Sequence, residues 1–355
     1  MGKPYSIFIN GGFLAQPLTG VQRYAWELTQ RLLKTAEADP DMPPVTLVRP
    51  AAGTRGMVRG NLWEQTTLCL RARNGILFSP GNLGPWLHPR HIVTMHDMRS
   101  FSTEHAESLP ARSRLWHNAT FSVLGKTARR ILTDSHYSLT CICDHLHVSE
   151  QRVQVVYPGA DHVLAFGQDD AVLEKLGLSP RGYVLAVGSL YPHKNLRILH
   201  SLDWAKYNLK LCIVGESPNT RAAAFQRVLE EARTQPASIC YTGRRSDAEL
   251  RALYSAAFAF AFPSLYEGFG FPPLEAMYCG APVLASDRTS IPEVCGDAAL
   301  YFDPLSPESL ELAVERLLGD PGLRSTMIER GRQQAAKFTW ARATTEVMSI
   351  LQQII

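Results

Sequence analysis

Glu267 and Glu275 stand eight residues apart in FPSLYEGFGFPPLEAMYCGAPVLAS, a segment whose residue types suit the capture of an anion. Gly268 and Gly270 let a ligand approach the backbone closely. Pro272 and Pro273 preset a first helical turn, whose free N–H groups and dipole attract negative charge. Two carboxylates, one expected in the loop and one in the first turn, can face the same pocket with an anion held between them. Either glutamate alone would carry little, because acidic residues at helix starts are often only dipole partners. A second loop, AVGSLYPHKNL, places Lys194 just ahead of a helix expected to begin near Asn195. A lysine there sets a point charge on a phosphate, although a plain surface lysine fits the same pattern. His96-Asp97 closes the run HIVTM, and imidazole suits proton work or hydrogen bonding near neutral pH. The loop INGGFLAQPLTGVQRY carries Gly12 and Gly20 but lacks G-x-G-x-x-G, so a nicotinamide or flavin dehydrogenase loses its main support. Its glycines serve tight turns as readily as ligand approach.

These loops need sheets to position them. Short apolar, β-rich runs alternate with helix-length amphipathic segments, the pattern of parallel sheets covered by helices. The first half offers strands at 5–10, 45–48, 75–79, 91–95, 130–134 and 153–157, with helices at 20–35 and 135–147. The second half offers strands at 183–188, 209–215, 238–243, 258–262, 282–286 and 299–302, then helices at 307–318, 321–336 and 339–354. The expectation is an α/β protein with an N-terminal Rossmann-like domain at 1–165 and a Gly- and Pro-rich linker at 166–182. A second Rossmann-like domain follows at 183–338, and a terminal helix at 339–355 packs back on the first domain.

Composition narrows the function class. The 355 residues are 45% hydrophobic and 19% charged, which fits folded domains rather than a disordered or fibrous chain. A net charge of +3 is too small to make nucleic acid the main partner. The start MGKPYSIFIN runs into a strand with no cleavable leader, and no run reaches the ~20 apolar residues of a membrane span, so a cytoplasmic location is expected. Seven scattered cysteines read as reduced core thiols, and Asp39-Pro-Asp41 reads as a turn rather than a metal site. Arg112, Arg114, Lys126, Arg129 and Arg130 flank an apolar stretch, which is either an ordinary solvated helix face or a lipid-surface contact.

Glu267-GFGFPPL-Glu275 resembles the E-x7-E signature of the retaining GT-B glycosyltransferases of family 4. The likeness runs almost continuously from Tyr183 to Pro304, through AVGSLYPHKNL, CIVGE, YTGRRSDAELRALYSAA and AMYCGAPVLASDRTSIPEVCGDAALYFDP. It continues more loosely in TGVQRYAWEL (19–28), TMHDM (94–98), LTDSHYS (132–138) and VVYPGAD (155–161). The resemblance implies two Rossmann-like domains facing each other across a cleft. It implies that Glu275 binds the nucleotide ribose, Glu267 the donor sugar, and Lys194 the leaving diphosphate. Gly268, Phe269 and Gly270 would offer backbone N–H groups, and Gly243 and Arg244 would lie near the base. Gly12 or Gly20 would approach the phosphates, His96 would lie near the anomeric centre, and Ser189 and Leu274 would line the donor site. Many members carry arginine where this chain has Ser189, so a second positive charge must come from elsewhere, with His193 and Arg23 as the candidates.

The implied reaction is retaining, metal-independent transfer of a hexose from a nucleotide sugar, with no cofactor. The SLYPHKN loop and LWEQ at 62–65 resemble bacterial surface-polysaccharide enzymes, for which GDP-mannose is the expected donor. The expected acceptor is a saccharide or a polyprenyl-linked glycan, the latter bringing peripheral contact with the inner membrane leaflet. Alternatives are an epimerase-like GT-B enzyme on nucleotide sugars and a non-catalytic partner subunit, against which intact His96, Lys194, Glu267 and Glu275 argue.

Overall fold

A strand forms at each of the twelve expected places; those at Ile76–Ser79, His91–Thr94, Ala259–Phe262 and Val283–Ser286 are buried throughout, and such strands of a parallel sheet read as continuous apolar runs. The structure, a computed structural model, describes residues 6–51, 57–102, 104, 111–215 and 238–354. Tyr5 of the first expected strand and Glu216 of CIVGE lie outside the described residues.

The chain divides into two compact units, Met1–Gly159 with Thr339–Ile355, and Ala160–Phe338. In the first unit β1 (Ile7–Asn10), α1 (Gly20–Ala38), β2 (Val45–Val48), α2 (Met57–Trp63), a π-helical turn (Glu64–Leu68) and α3 (Cys69–Ala72) come first. Then follow β3 (Ile76–Ser79), β4 (His91–Thr94), α4 (Ala111–Thr127), β5 (Arg130–Thr133), α5 (His136–Leu146) and β6 (Val153–Val155). The strands pair in parallel, in the order β2-β1-β3-β4-β5-β6. Val93, Met95 and Ile131 of this sheet and its strand ends pack with Phe121, Leu124 and Ile142 of the helices. Ser135 starts α5, its Oγ accepting from the Ser138 amide at 3.0 Å.

Sequence periodicity assigned no element to 57–72, where the structure places helix. The π turn shifts the apolar period, leaving Leu62 and Leu70 about two-thirds exposed at 63% and 65% while Trp63, Leu68 and Ala72 are buried.

The second unit contains α6 (Ala171–Lys175), β7 (Tyr183–Val187), β8 (Lys210–Val214), β9 (Ile239–Gly243), α7 (Asp247–Ala256), β10 (Ala259–Phe262) and α8 (Phe271–Tyr278). It continues with β11 (Val283–Ser286), α9 (Ile291–Cys295), β12 (Ala299–Phe302), α10 (Pro307–Gly319) and α11 (Pro321–Ala335). Its parallel sheet runs β12-β11-β10-β7-β8-β9. Ser246 and Glu249 close a capping box at the start of α7. Gly215 ends β8 with φ +158°, and any Cβ there would lie 1.8 Å from the Gly188 carbonyl, so the β7 and β8 exits touch backbone to backbone.

The division falls earlier than the expected 165/166 boundary. Residues 160–182 pack as part of the second unit: the Ala160 amide donates to Phe338 O at 3.1 Å, Asp169 N to Ala248 O at 3.2 Å and Arg181 N to Ala256 O at 2.7 Å. After Phe338 the chain enters α12 (Trp340–Gln352), which belongs to the first unit. Trp340 is fully buried there, its ring centroid 5.9 Å from that of Tyr24.

Candidate functional site

In the second sheet the order of strand addition reverses between β7 and β10. Loops leaving two such strands diverge at the carboxyl edge and open the crevice where α/β sheets hold ligands. The β7 loop carries Ser189 and Lys194, and the β10 loop carries Glu267. Backbone and side-chain bonds tie them together: Leu265 N donates to His193 O at 2.7 Å, and Asn195 Nδ2 reaches Pro263 O at 3.3 Å and Pro304 O at 2.7 Å. Lys194 Nζ then donates to both carboxylate oxygens of Glu267, at 2.7 and 2.9 Å. Two residues 73 apart in sequence thus share one charge-assisted contact. The helix expected at Asn195 is instead two 3-10 turns, Pro192–Lys194 and Leu196–Ser201, parted by Asn195 at φ +51°. Lys194 is therefore not joined by an α-helix dipole.

The Glu267 loop is braced from behind. Its amide donates to Thr289 Oγ1 at 3.1 Å, and Ser290 Oγ donates to the Glu267 and Phe269 carbonyls at 3.0 and 2.9 Å. Gly270, at φ +112°, turns the chain into α8, a conformation that side chains rarely adopt. Phe269 packs edge-on against Phe271 and Phe338, and Leu274 is fully buried, so both of these expected donor residues give their side chains to the core.

Glu275 is the fifth residue of α8 rather than a first-turn residue, because the helix already begins at Phe271. Helical side chains lean toward the N-terminus, which returns its carboxylate toward the loop. One oxygen, Oε1, lies 3.2 Å from His162 Nε2, and the other, Oε2, accepts from Tyr254 Oη at 3.0 Å. Burial and then the charge of Glu275 push the Tyr254 hydroxyl far above its ordinary range, so it stays a neutral donor. The same two causes push the Cys279 thiol up to about 12. Sequence reading missed both partners, since no local pattern links residues 162, 254 and 275. Gly243 ends β9 at φ +68°, followed by exposed Arg244. Ser189 is half-buried beside Gly188.

In the first unit the reversal lies between β1 and β3. Asn10 ends β1, and its Nδ2 reaches Glu64 Oε1 at 2.9 Å, Ser79 Oγ at 3.2 Å and Leu83 O at 3.3 Å. Its Oδ1 accepts from the Gly12 amide at 2.9 Å, so that amide is engaged inside the loop. A Cβ at Gly12 would lie 3.1 Å from Glu64 Oε1. Burial pushes the Glu64 carboxyl up to about 7, against the opposing hydrogen bond from Asn10. Gly20 is the exposed first residue of α1.

His96 follows β4, with its ring buried among Asp134, Pro80 and Tyr24. Nδ1 lies 2.5 Å from Asp134 Oδ2 and Nε2 lies 3.0 Å from Pro80 O, while the Tyr24 ring meets it edge-on at 4.6 Å. Both ring nitrogens face acceptors, an arrangement that favours the doubly protonated ring. Burial disfavours that charge, but Asp134 outweighs it and raises the imidazole above its ordinary range. The sequence reading put His96 beside the transferred sugar; the structure commits both its nitrogens within the first unit. Asp97 Oδ1 accepts from the Arg99 amide at 2.9 Å and steadies that loop. Of the two candidates for a second cation, Arg23 lies 3.6 Å from Glu27 on α1, and His193 is buried with its ring stacked on Tyr191 at 5.7 Å.

Among the described residues no three His, Cys, Asp or Glu side chains group as metal ligands, and no helix is long and apolar enough to cross a membrane.

Residues 170–334 match the family model described as "Glycosyl transferases group 1". The chain is 28% identical over 368 residues to O-antigen chain mannosyltransferase B of Escherichia coli, covering 94% of this chain and 96% of that protein. It is also 28% identical over 228 residues to O-antigen chain mannosyltransferase RfbU of Salmonella typhimurium, covering 63% and 60%. The fold matches that of sucrose-phosphate synthase from Thermosynechococcus elongatus with a TM-score of 0.75 at 19% identity, covering 99% of both chains. The chain thus has the two six-stranded parallel sheets of the GT-B fold, and residues 170–334, which hold its donor-side loops, match the glycosyl transferases group 1 domain.

Proposed function

We propose that this glycosyltransferase moves mannose from GDP-mannose, with retention of anomeric configuration and without a metal ion, to a saccharide or polyprenyl-linked acceptor in surface-polysaccharide assembly. The observation that carries the reading is the Lys194–Glu267 contact at the switch point of the second sheet, with Glu275 one helix turn inside α8. A diphosphate reaching this crevice takes Lys194 as its counter-charge, which releases Glu267 to accept from the hydroxyls of the sugar. Glu275 accepts from the ribose hydroxyls. Charge develops on the leaving diphosphate during transfer, and a preorganised cation aimed at it is the largest catalytic contribution expected. The leaving phosphate takes the acceptor's proton, so the reaction asks no side chain to act as base. His96 then serves to tie the ends of β4 and β5 through its contact with Asp134. The mannosyltransferase relatives support the sugar and the acceptor class.

A thermal-shift screen with GDP, UDP, ADP and dTDP tests the donor, because a ligand that binds the native state raises its melting temperature. GDP alone should give the large response. Glu275→Ala should weaken it strongly without removing it, whereas Glu267→Ala should keep nucleotide binding and lose the preference for GDP-mannose over GDP-glucose. Normal transfer by both variants would overturn the site. Activity unchanged by EDTA is expected as well.

Membrane contact is proposed through α4, which exposes Arg112, Arg114, Lys126 and Leu115, the last at 74%. Binding to vesicles containing phosphatidylglycerol should exceed binding to neutral vesicles, and Arg112→Glu/Arg114→Glu should remove the difference. Equal binding to both kinds of vesicle would exclude this contact.

A further inference from the structure

We infer that His162 and Tyr254 are positioning residues that hold the Glu275 carboxylate in the one orientation able to read a ribose diol. The inference rests on Glu275 being the nucleotide's ribose ligand. Each oxygen of that carboxylate has its own neighbour: Tyr254 Oη donates to Oε2 at 3.0 Å, and His162 Nε2 lies 3.2 Å from Oε1, within reach for donation. The donors come from opposite directions in the chain, Tyr254 from the last turn of α7 and His162 from the 3-10 turn that opens the second unit. With one lone pair of each oxygen engaged, the remaining pair of lone pairs is fixed in direction and spacing, as two neighbouring hydroxyls require. A glutamate with free χ angles would have to order itself on binding and would lose discrimination.

Both donors are themselves held. Tyr254 is fully buried, its ring 5.4 Å from Phe260. His162 is 5% exposed, wedged edge-on between Phe166 and Phe271 at 6.3 Å each. Its turn is pinned at both ends: the Ala160 amide donates to Phe338 O, and the Arg251 guanidinium donates to the Leu164 and Phe166 carbonyls. An imidazole wedged so firmly, with its Nε2 at a carboxylate, is placed for that carboxylate.

The test compares GDP with 2′-deoxy-GDP by isothermal titration on the full chain; UDP and 2′-deoxy-UDP replace them if the nucleotide screen selects uridine. Tyr254→Phe and His162→Ala should each weaken the ribonucleotide about tenfold and the deoxynucleotide much less, so that the ribo-over-deoxy preference collapses. His162→Gln, which can still donate, should restore most of that preference. In a Glu275→Ala background, His162→Ala should bring no further loss. Wild-type preference in Tyr254→Phe and His162→Ala, together with additive losses in the Glu275→Ala background, would overturn the positioning role while leaving Glu275 as the ribose ligand. A Glu275→Ala variant that binds GDP as tightly as the wild type would instead overturn the ribose reading, and the positioning role with it.

Discussion

At the scale of single residues, Glu64 offers a readout separate from catalysis. Its carboxyl titrates near 4.5 in an unfolded chain and is pushed up to about 7 in the fold. The folded state therefore binds the proton more tightly, so stability rises as pH falls from about 7 to about 4.5 and is lost on the way back up. Replacing it by glutamine keeps the acceptor for Asn10 and removes the buried charge. Glu64→Gln should match the wild type near pH 4.5 and exceed it at pH 8 by on the order of 3 kcal/mol, read from denaturant melts at both pH values. A wild-type pH profile in the variant would show that Glu64 is not the source. The residue also shows the limits of sequence reading. LWEQ was visible as a motif, but nothing in it told that Glu64 would face Asn10, 54 residues earlier. Glu267 and Lys194 were legible because glycines and prolines mark their loops. Their mutual contact, the clamp on Glu275 and the Asp134 partner of His96 were not, since each joins distant segments through tertiary packing alone.

At the scale of elements, the inner strands could be read because they are parallel and buried, so apolar runs coincide with them, while the partly exposed edge strands β2, β6, β9 and β12 were read from their β-branched and aromatic residues. Helices with a clean apolar period, such as α1 and α10, were equally plain. Elements without those signals were lost: the π-interrupted helix of 57–72 and the 3-10 turns around Asn195, where a left-handed residue breaks the expected helix. The element that most repays mutation is α12. Trp340 is wholly buried, with Tyr24 on one side and the Arg31 guanidinium 5.7 Å above its ring. Trp340→Ala should lower the stability of the first unit by about 3–5 kcal/mol, and so lower its melting temperature, while the second unit keeps its GDP response.

At the scale of the whole molecule, the second unit is an insertion in the chain of the first, which opens after Gly159 and resumes at Thr339. Nucleotide bound by the second unit should therefore also delay the melting of the first, followed through hydrogen exchange of α12 amides with and without GDP. Unchanged exchange at saturating GDP would show that the two units unfold independently. The reason lies in the backbone bond from Ala160 to Phe338, which puts the two ends of the insertion side by side. While residues 160–338 are unfolded, docking α12 means closing a loose loop of that length, an entropic penalty on the order of 4–5 kcal/mol. Once they fold, the ends already meet and the penalty nearly vanishes. An inserted unit that sets first thus acts as a staple, sparing the last helix that penalty when it docks.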